Sequence, residues 1–125
     1  MKIIRFEDLE CWKESRKITK MVYKITKEKY FCKDYRLKDQ ITGASISIMN
    51  NIAEGFDSQS NFEFIRFLRY SRRSCSEVQN CLYIALDQDY INQKILEFIY
   101  NQSKIVRKLV DGLIKYLRGV NRLNR

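Results

Sequence analysis

The stretch LKDQITGASISIMNNIAEG, residues 37–55, decides the fold. Leu37, Ile41, Ala44, Ile48 and Ile52 recur at steps of three or four, which stacks them along one face of a helix. Ile46 and Met49 make a second flank apolar, so this helix is expected to be the most buried. Gly43, Ala44, Ser45 and Ser47 are small and let a neighbouring backbone come close. Gly55 stands where a helix commonly ends in a left-handed residue, and residues 55–59 read as a break.

Working outward, residues 8–29 carry Cys11, Ser15, Ile18, Val22 and Ile25 at the same spacing. Leu9 and Trp12 widen that seam, Asp8 is the expected N-cap, and the chain breaks over residues 30–36. Downstream, Ser60-Asn61-Phe62-Glu63 reads as a capping box, in which hydroxyl and carboxylate each satisfy a free N–H of the first turn. Phe64, Leu68, Ser71, Cys75, Val78, Leu82 and Ala85 then make a third seam. After a connection over residues 87–92, with Asn92 as cap, a fourth seam runs through Ile95, Ile99, Gln102, Val106, Leu109, Leu113 and Tyr116 to about Arg118. A basic tail, residues 119–125, is expected beyond it. The 125 residues suit one domain, and short connections force long helices to be antiparallel neighbours. The expected architecture is all-α, a single antiparallel up-down-up-down four-helix bundle with its first and fourth helices side by side.

Composition removes whole classes of chemistry. The chain has no His and no Pro. Without His there is no Ser-His-Asp or Cys-His nucleophile, no His-ligated zinc and no di-metal site of the Glu-x-x-His kind. Cys11, Cys32, Cys75 and Cys81 form no C-x-x-C pair, so they read as reduced thiols, and Cys11, Cys75 and Cys81 as core filler beside the seams. Trp12 reads as a packing residue near a bundle end. No metal, cofactor or catalytic residue is expected. The opening MKIIRFEDLE is no signal peptide, and no apolar run reaches membrane-spanning length. A soluble, cytoplasmic, non-enzymatic protein is expected, without a membrane partner.

Charge points to a partner instead. Lys and Arg number 24 against 15 Asp and Glu, a net charge of +9. Lys13, Lys17, Lys20, Lys24 and Lys27 line one face of the first helix, with Arg16 beside them. Lys104, Lys108, Lys115 and Arg118 make a stripe on the fourth, interrupted by Asp111, with Arg107 alongside and Arg122 and Arg125 following. If the two helices are neighbours, these stripes can merge into one basic face. Such a face is either the solvated side of an amphipathic helix or a polyanion site that gains from counterion release. The scarcity of acids at i, i+4 favours the second. Arg66, Arg69, Arg72 and Arg73 crowd two turns of the third helix among Phe67 and Tyr70, a pattern suited to phosphates and unpaired bases or to a subunit contact.

Gln40, Ala44, Ser47, Asn51 and Glu54 form a small and polar line on the second helix, and Tyr70, Ser74, Glu77 and Cys81 repeat it on the third. The polar members Gln40, Asn51, Glu54, Ser74 and Glu77 are expected to be structural, because buried polar groups must be paired. Apolar surface beyond the seams, at residues 43–53 and at Phe62, Phe67, Tyr70 and Tyr83, predicts a homo-oligomer.

Residues 6–12 (FEDLECW), 35–41 (YRLKDQI) and 45–55 (SISIMNNIAEG) resemble, in order, the four-helix-bundle proteins encoded in intervening sequences of bacterial 23S ribosomal RNA genes. Asn51-Ile52-Ala53-Glu54-Gly55 is the most specific part, and the likeness continues through Glu63-Phe64, Phe67-Leu68, Ser74 and Glu77. The resemblance implies a four-helix bundle and a homopentamer. It also implies kinship with the accessory proteins of diversity-generating retroelements, and through them a reverse transcriptase as partner. Arg73 departs from the pattern, which has a small Gly there. The resemblance supplies no catalytic residues. Charge and resemblance together predict a homo-oligomer that binds nucleic acid, RNA ahead of DNA, through backbone contacts. The alternative is an oligomeric scaffold for a protein.

Overall fold

The computed structural model describes residues 3–123 and holds four helices: α1, Glu10–Ile25; α2, Tyr35–Asp57; α3, Asn61–Asp87; and α4, Gln93–Leu123. Two single 3-10 turns, Phe6–Asp8 and Phe31–Lys33, precede α1 and α2. The cross-links fix the directions. Arg72, Ser76 and Gln79 on α3 bond Asp111, Arg107 and Ser103 on α4, so one helix climbs as the other descends. Ser71 and Ser74 meet Ile48 and Ser47 on α2 in the same reversed order. Gln102 on α4 reaches Glu14 on α1, which makes the first and last helices neighbours and closes an antiparallel up-down-up-down bundle. Ile18, Val22, Ile41, Ile48, Ile52, Leu68, Val78, Leu82, Val106 and Val110 are fully buried at its centre.

The helix ends differ from the expected ones for local reasons. Asp8 is not the N-cap of α1; it lies in the first 3-10 turn, and Leu9 takes the cap position without a side-chain bond while burying its own side chain. α1 stops at Ile25 rather than Lys29. The Thr26 hydroxyl turns back to the Tyr23 carbonyl, and Glu28 Oε1 accepts the N–H groups of Tyr30 and Phe31, both at 2.8 Å. These bonds fold the connection so that Phe31 is fully buried, stacked on Tyr90 at 4.9 Å. α2 begins at Tyr35, because the Asp34 carboxylate caps the Leu37 N–H at 3.1 Å and also accepts the Tyr90 hydroxyl at 2.9 Å.

Gly55 is not a left-handed terminator. It lies inside α2, and Gln59, with φ of 59°, makes the turn instead. Half of the expected capping box forms: Ser60 Oγ accepts the Glu63 N–H at 3.3 Å, while the Glu63 carboxylate pairs with Arg66. Asn92 caps Ile95 as expected, at 2.8 Å.

Two faces are also turned. α3, not α2, has the larger share of buried residues, and Ile46 is 39% exposed. On α4 the buried face is Leu96, Ile99, Gln102, Ser103, Val106, Val110, Ile114 and Leu117; Ile95 and Tyr116 of the expected seam are exposed. α4 runs on to Leu123, so the first part of the expected tail is helical, while the Arg122 side chain and Arg125 lie outside what the structure describes. No helix among the described residues is long and apolar enough to cross a membrane.

Candidate nucleic-acid interface

The spacing of the α1 lysines sends them away from the core, since Cys11, Ser15, Ile18 and Val22 occupy the buried side of the same helix. The outer face and the flank toward α2 form an open groove of about 860 Å³. Lys13, Arg16, Lys17, Lys20, Lys24 and Lys27 all line it, with Trp12, Thr19, Tyr23 and Met49, and no acidic side chain does. Lys27 keeps this place although α1 ends two residues earlier, because the backbone continues in turns. Lys13 pairs with Glu10 at 3.4 Å and Lys17 with Glu14 at 2.8 Å. Arg16, Lys20, Lys24 and Lys27 form no ion pair among the described residues, so four cations outside any pair share a water-exposed wall.

Glu14 is tied twice. Its carboxylate accepts from Lys17 and, at 3.0 Å, from the Gln102 amide, and those bonds hold its carboxyl below the ordinary value of 4.5. It is turned toward α4 and away from the groove.

The second basic stripe opens on a different face. Lys104, Arg107 and Lys108 line a groove of about 790 Å³ with Gln79, Tyr100, Asn101, Ile105 and Asp111. The two grooves share no lining residue, although the helices are neighbours. The α1 groove reaches round to α2, at Met49, and the α4 groove reaches to α3, at Gln79. Arg107 is held by Ser76 at 2.9 Å, and Asp111 holds Arg72 at 2.6 Å, so Arg72 is a cross-link between helices. Lys115 and Arg118 are exposed further along α4.

On α3, Arg66 is bound to Glu63, donates to the Tyr70 hydroxyl at 3.2 Å and lies over the rings of Phe67 and Tyr70 at 5.2 and 5.6 Å. Those contacts push its pKa further up and hold its guanidinium in place. Arg73 covers the Tyr70 ring at 5.5 Å, and Arg69 is exposed. This cluster is a self-contained stack apart from both grooves.

The polar seam exists in part. Ser74 Oγ donates to Ser47 Oγ at 3.0 Å, Asn51 donates to the Ser47 hydroxyl and carbonyl, and the buried Ser71 hydroxyl reaches the Ile48 carbonyl at 2.8 Å. Gln40, Glu54 and Glu77 are exposed and stand outside it. No group of three or more Cys, Asp or Glu among the described residues is arranged to hold a metal ion.

Trp12 packs against the core, as its sequence position predicts, and lines the groove as well; Tyr23 and Met49 are groove residues that sequence reasoning does not place there. The signal was present: Trp12, Arg16, Thr19 and Tyr23 recur at four, three and four, a second row beside the lysines. Thr19 belongs to the α2 contact, donating to the Ser45 carbonyl at 3.2 Å, so the whole row faces α2.

A family model described as 23S rRNA-intervening sequence protein matches residues 7–112. Among solved structures, the chain is similar to a protein of unknown function from the S23 ribosomal protein family of Bacteroides thetaiotaomicron VPI-5482. The two are 26% identical and superpose with a TM-score of 0.76 over 84% of this chain and 98% of that one. No curated protein matches. Neither matching description names an enzymatic activity.

Proposed function

Since the chain belongs to the 23S rRNA-intervening sequence protein family, we propose that it is a non-enzymatic, cytoplasmic, homo-oligomeric bundle that binds RNA through the α1 face. One observation carries this reading: the groove between α1 and α2 has six cationic residues and no acidic one along its walls. A merely solvated face has no need to exclude acids, whereas a phosphate backbone rewards their absence.

The test is salt dependence. Neutralising four single-strand phosphates gives a slope of about −3 in log affinity against log salt, and replacing Lys20 and Lys24 by Glu flattens it by at least ~1.4. Filter binding measures both. RNA binding that ignores these reversals, or no binding at low salt, rejects the reading.

The homo-oligomer rests on a different surface. Ile95, Phe98, Ile105 and Tyr116 are exposed along α4, with Phe98 63% and Tyr116 65% accessible. An apolar row of this kind is covered in assemblies. Light scattering that gives a monomer at micromolar concentration rejects it. The same row supports the second reading, a scaffold for a protein such as a reverse transcriptase, which stands ahead if RNA does not bind.

A further inference from the structure

At the start of α1 the basic groove meets a second, smaller hollow of about 280 Å³, lined by Phe6, Trp12, Ile46, Met49, Asn50 and Ala53. The two share Trp12 and Met49, so they are one continuous surface with an apolar end and a cationic length. The hollow is apolar apart from Asn50, whose exposed amide stands among its lining residues. Phe6 meets the Trp12 indole edge-on at 5.5 Å, and the Arg16 guanidinium lies over it at 5.8 Å. Ile46, 39% exposed, has its apolar surface open to water.

We infer that this hollow receives an unpaired nucleobase, so that the α1 groove selects single-stranded RNA over duplex. The inference rests on the RNA-binding reading and makes it more specific. A duplex keeps its base faces stacked inside and offers a protein little but phosphate and sugar, whereas an unpaired base can stack on an aromatic ring or an arginine plane. Here an indole ring and an amide able to bond a base edge line one small apolar site, and the guanidinium that lies over the same ring stands in the adjoining cationic groove. The charge beside it has the right sign and direction. Arg16 and Lys20 follow Trp12 by one and two helical turns, about 6 and 12 Å along the axis, where the phosphates of a strand leaving the hollow would pass. The lysines alone suit any polyanion; the hollow is what distinguishes an unpaired strand.

Trp12 is the only tryptophan in the chain, so its fluorescence reports on the hollow directly. The full-length protein is titrated at low salt with an oligouridylate of about ten nucleotides, and separately with an RNA duplex of the same length, within the site sizes known for single-strand binding. Labelled-RNA anisotropy gives affinity while Trp12 emission gives occupancy. The single strand is expected to quench Trp12 and to bind at least ~5-fold more tightly than the duplex, which leaves the emission unchanged. Trp12→Ala, and independently Ile46→Ser at an exposed position, should remove that preference, and the Ile46 variant, altered outside the cationic groove, should keep its duplex affinity within about twofold. Equal affinity for the two RNAs, or a single strand that binds without moving Trp12 emission, overturns the base site and leaves the cationic groove standing. If neither RNA binds at low salt, the RNA-binding reading itself falls.

Discussion

Replacing Gly55 by Ala tests how closely α2 and α3 approach. A methyl group there would lie 2.8 Å from Phe64 Cδ1, 2.9 Å from Phe67 Cβ and 3.3 Å from the Phe64 carbonyl oxygen. Carbon atoms in good contact sit ~3.5–4.0 Å apart, so the overlap is about 0.7 Å on two sides. The Phe64 ring is buried and edge-on to Phe56, and Phe67 Cβ is fixed to its backbone, so neither can swing away. The helices must part, at an overpacking cost of ~1–3 kcal/mol. Ala is the better helix former by about 1 kcal/mol, which offsets part of this. A net loss of up to about 2 kcal/mol remains, or as much as roughly 8 °C in melting temperature for a domain of this size. Gly43 is the control: it lies on the same helix with nothing within 4 Å of an added methyl, so Gly43→Ala should gain up to ~1 kcal/mol. Thermal melts followed by circular dichroism at one protein concentration compare the two. If Gly55→Ala raises the melting temperature as Gly43→Ala should, the close crossing of α2 and α3 is wrong.

Glu54 is exposed, so Glu54→Ala should leave stability within about 0.5 kcal/mol in a urea titration; Ser71→Ala, which removes a buried hydroxyl bonded to the Ile48 carbonyl, should cost ~1 kcal/mol by the same measurement. The Glu14 carboxyl is held below 4.5 by Lys17 and Gln102, so its contribution is present above the ordinary pKa and is lost as pH falls through the lowered one; Glu14→Gln should flatten the acid limb of the stability profile. Burial pushes the Cys11 and Cys75 thiols up to about 12 from 9.0, so stability is whole below pH 9 and declines between there and pH 12. At neutral pH a thiol reagent should label the half-buried Cys32 first and reach Cys11 and Cys75 only with unfolding, as mass spectrometry would show.

The seams of α1 and α3 were legible because each carries one narrow apolar row: Cys11, Ser15, Ile18 and Val22 are buried as their spacing requires, and so is the third-helix row from Phe64 to Ala85. α4 was misread at its edges because it carries too many apolar residues for one row. Ile95, Phe98, Ile105 and Tyr116 continue a regular pattern on the wrong side of the buried one, and a period cannot say which of two adjacent rows meets the core. Gly55 was misread for a related reason. Glycine serves both a left-handed helix end and a close crossing, and the choice depends on Phe64 and Phe67, which arrive from another helix. The lysine stripe was legible, but the separation of its groove from the α4 groove was not, because that depends on how far each helix is rotated about its axis.

The groove itself follows from an inequality between the two faces of α2. Toward α3, α2 offers Ser47 and Gly55 and meets Ser71, Ser74 and Phe67, so the backbones come close enough for hydroxyls to bond across and for a methyl at Gly55 to clash. Toward α1 it offers Ile46, Met49 and Ala53, and Trp12, Arg16 and Tyr23 line the open surface alongside. One bond, from Thr19 to the Ser45 carbonyl, ties the middle of that contact, and on either side of it the bulky groups hold the surface open. Ser47 and Gly55 thus let α3 close on one side of α2. On the side toward α1, aromatic surface and unpaired cations stand together in water. A ligand with a flat apolar face and a negative chain satisfies both, and neither the α4 groove, with Asp111 in its wall, nor the α3 stack, with Arg66 already bound to Glu63, offers that combination.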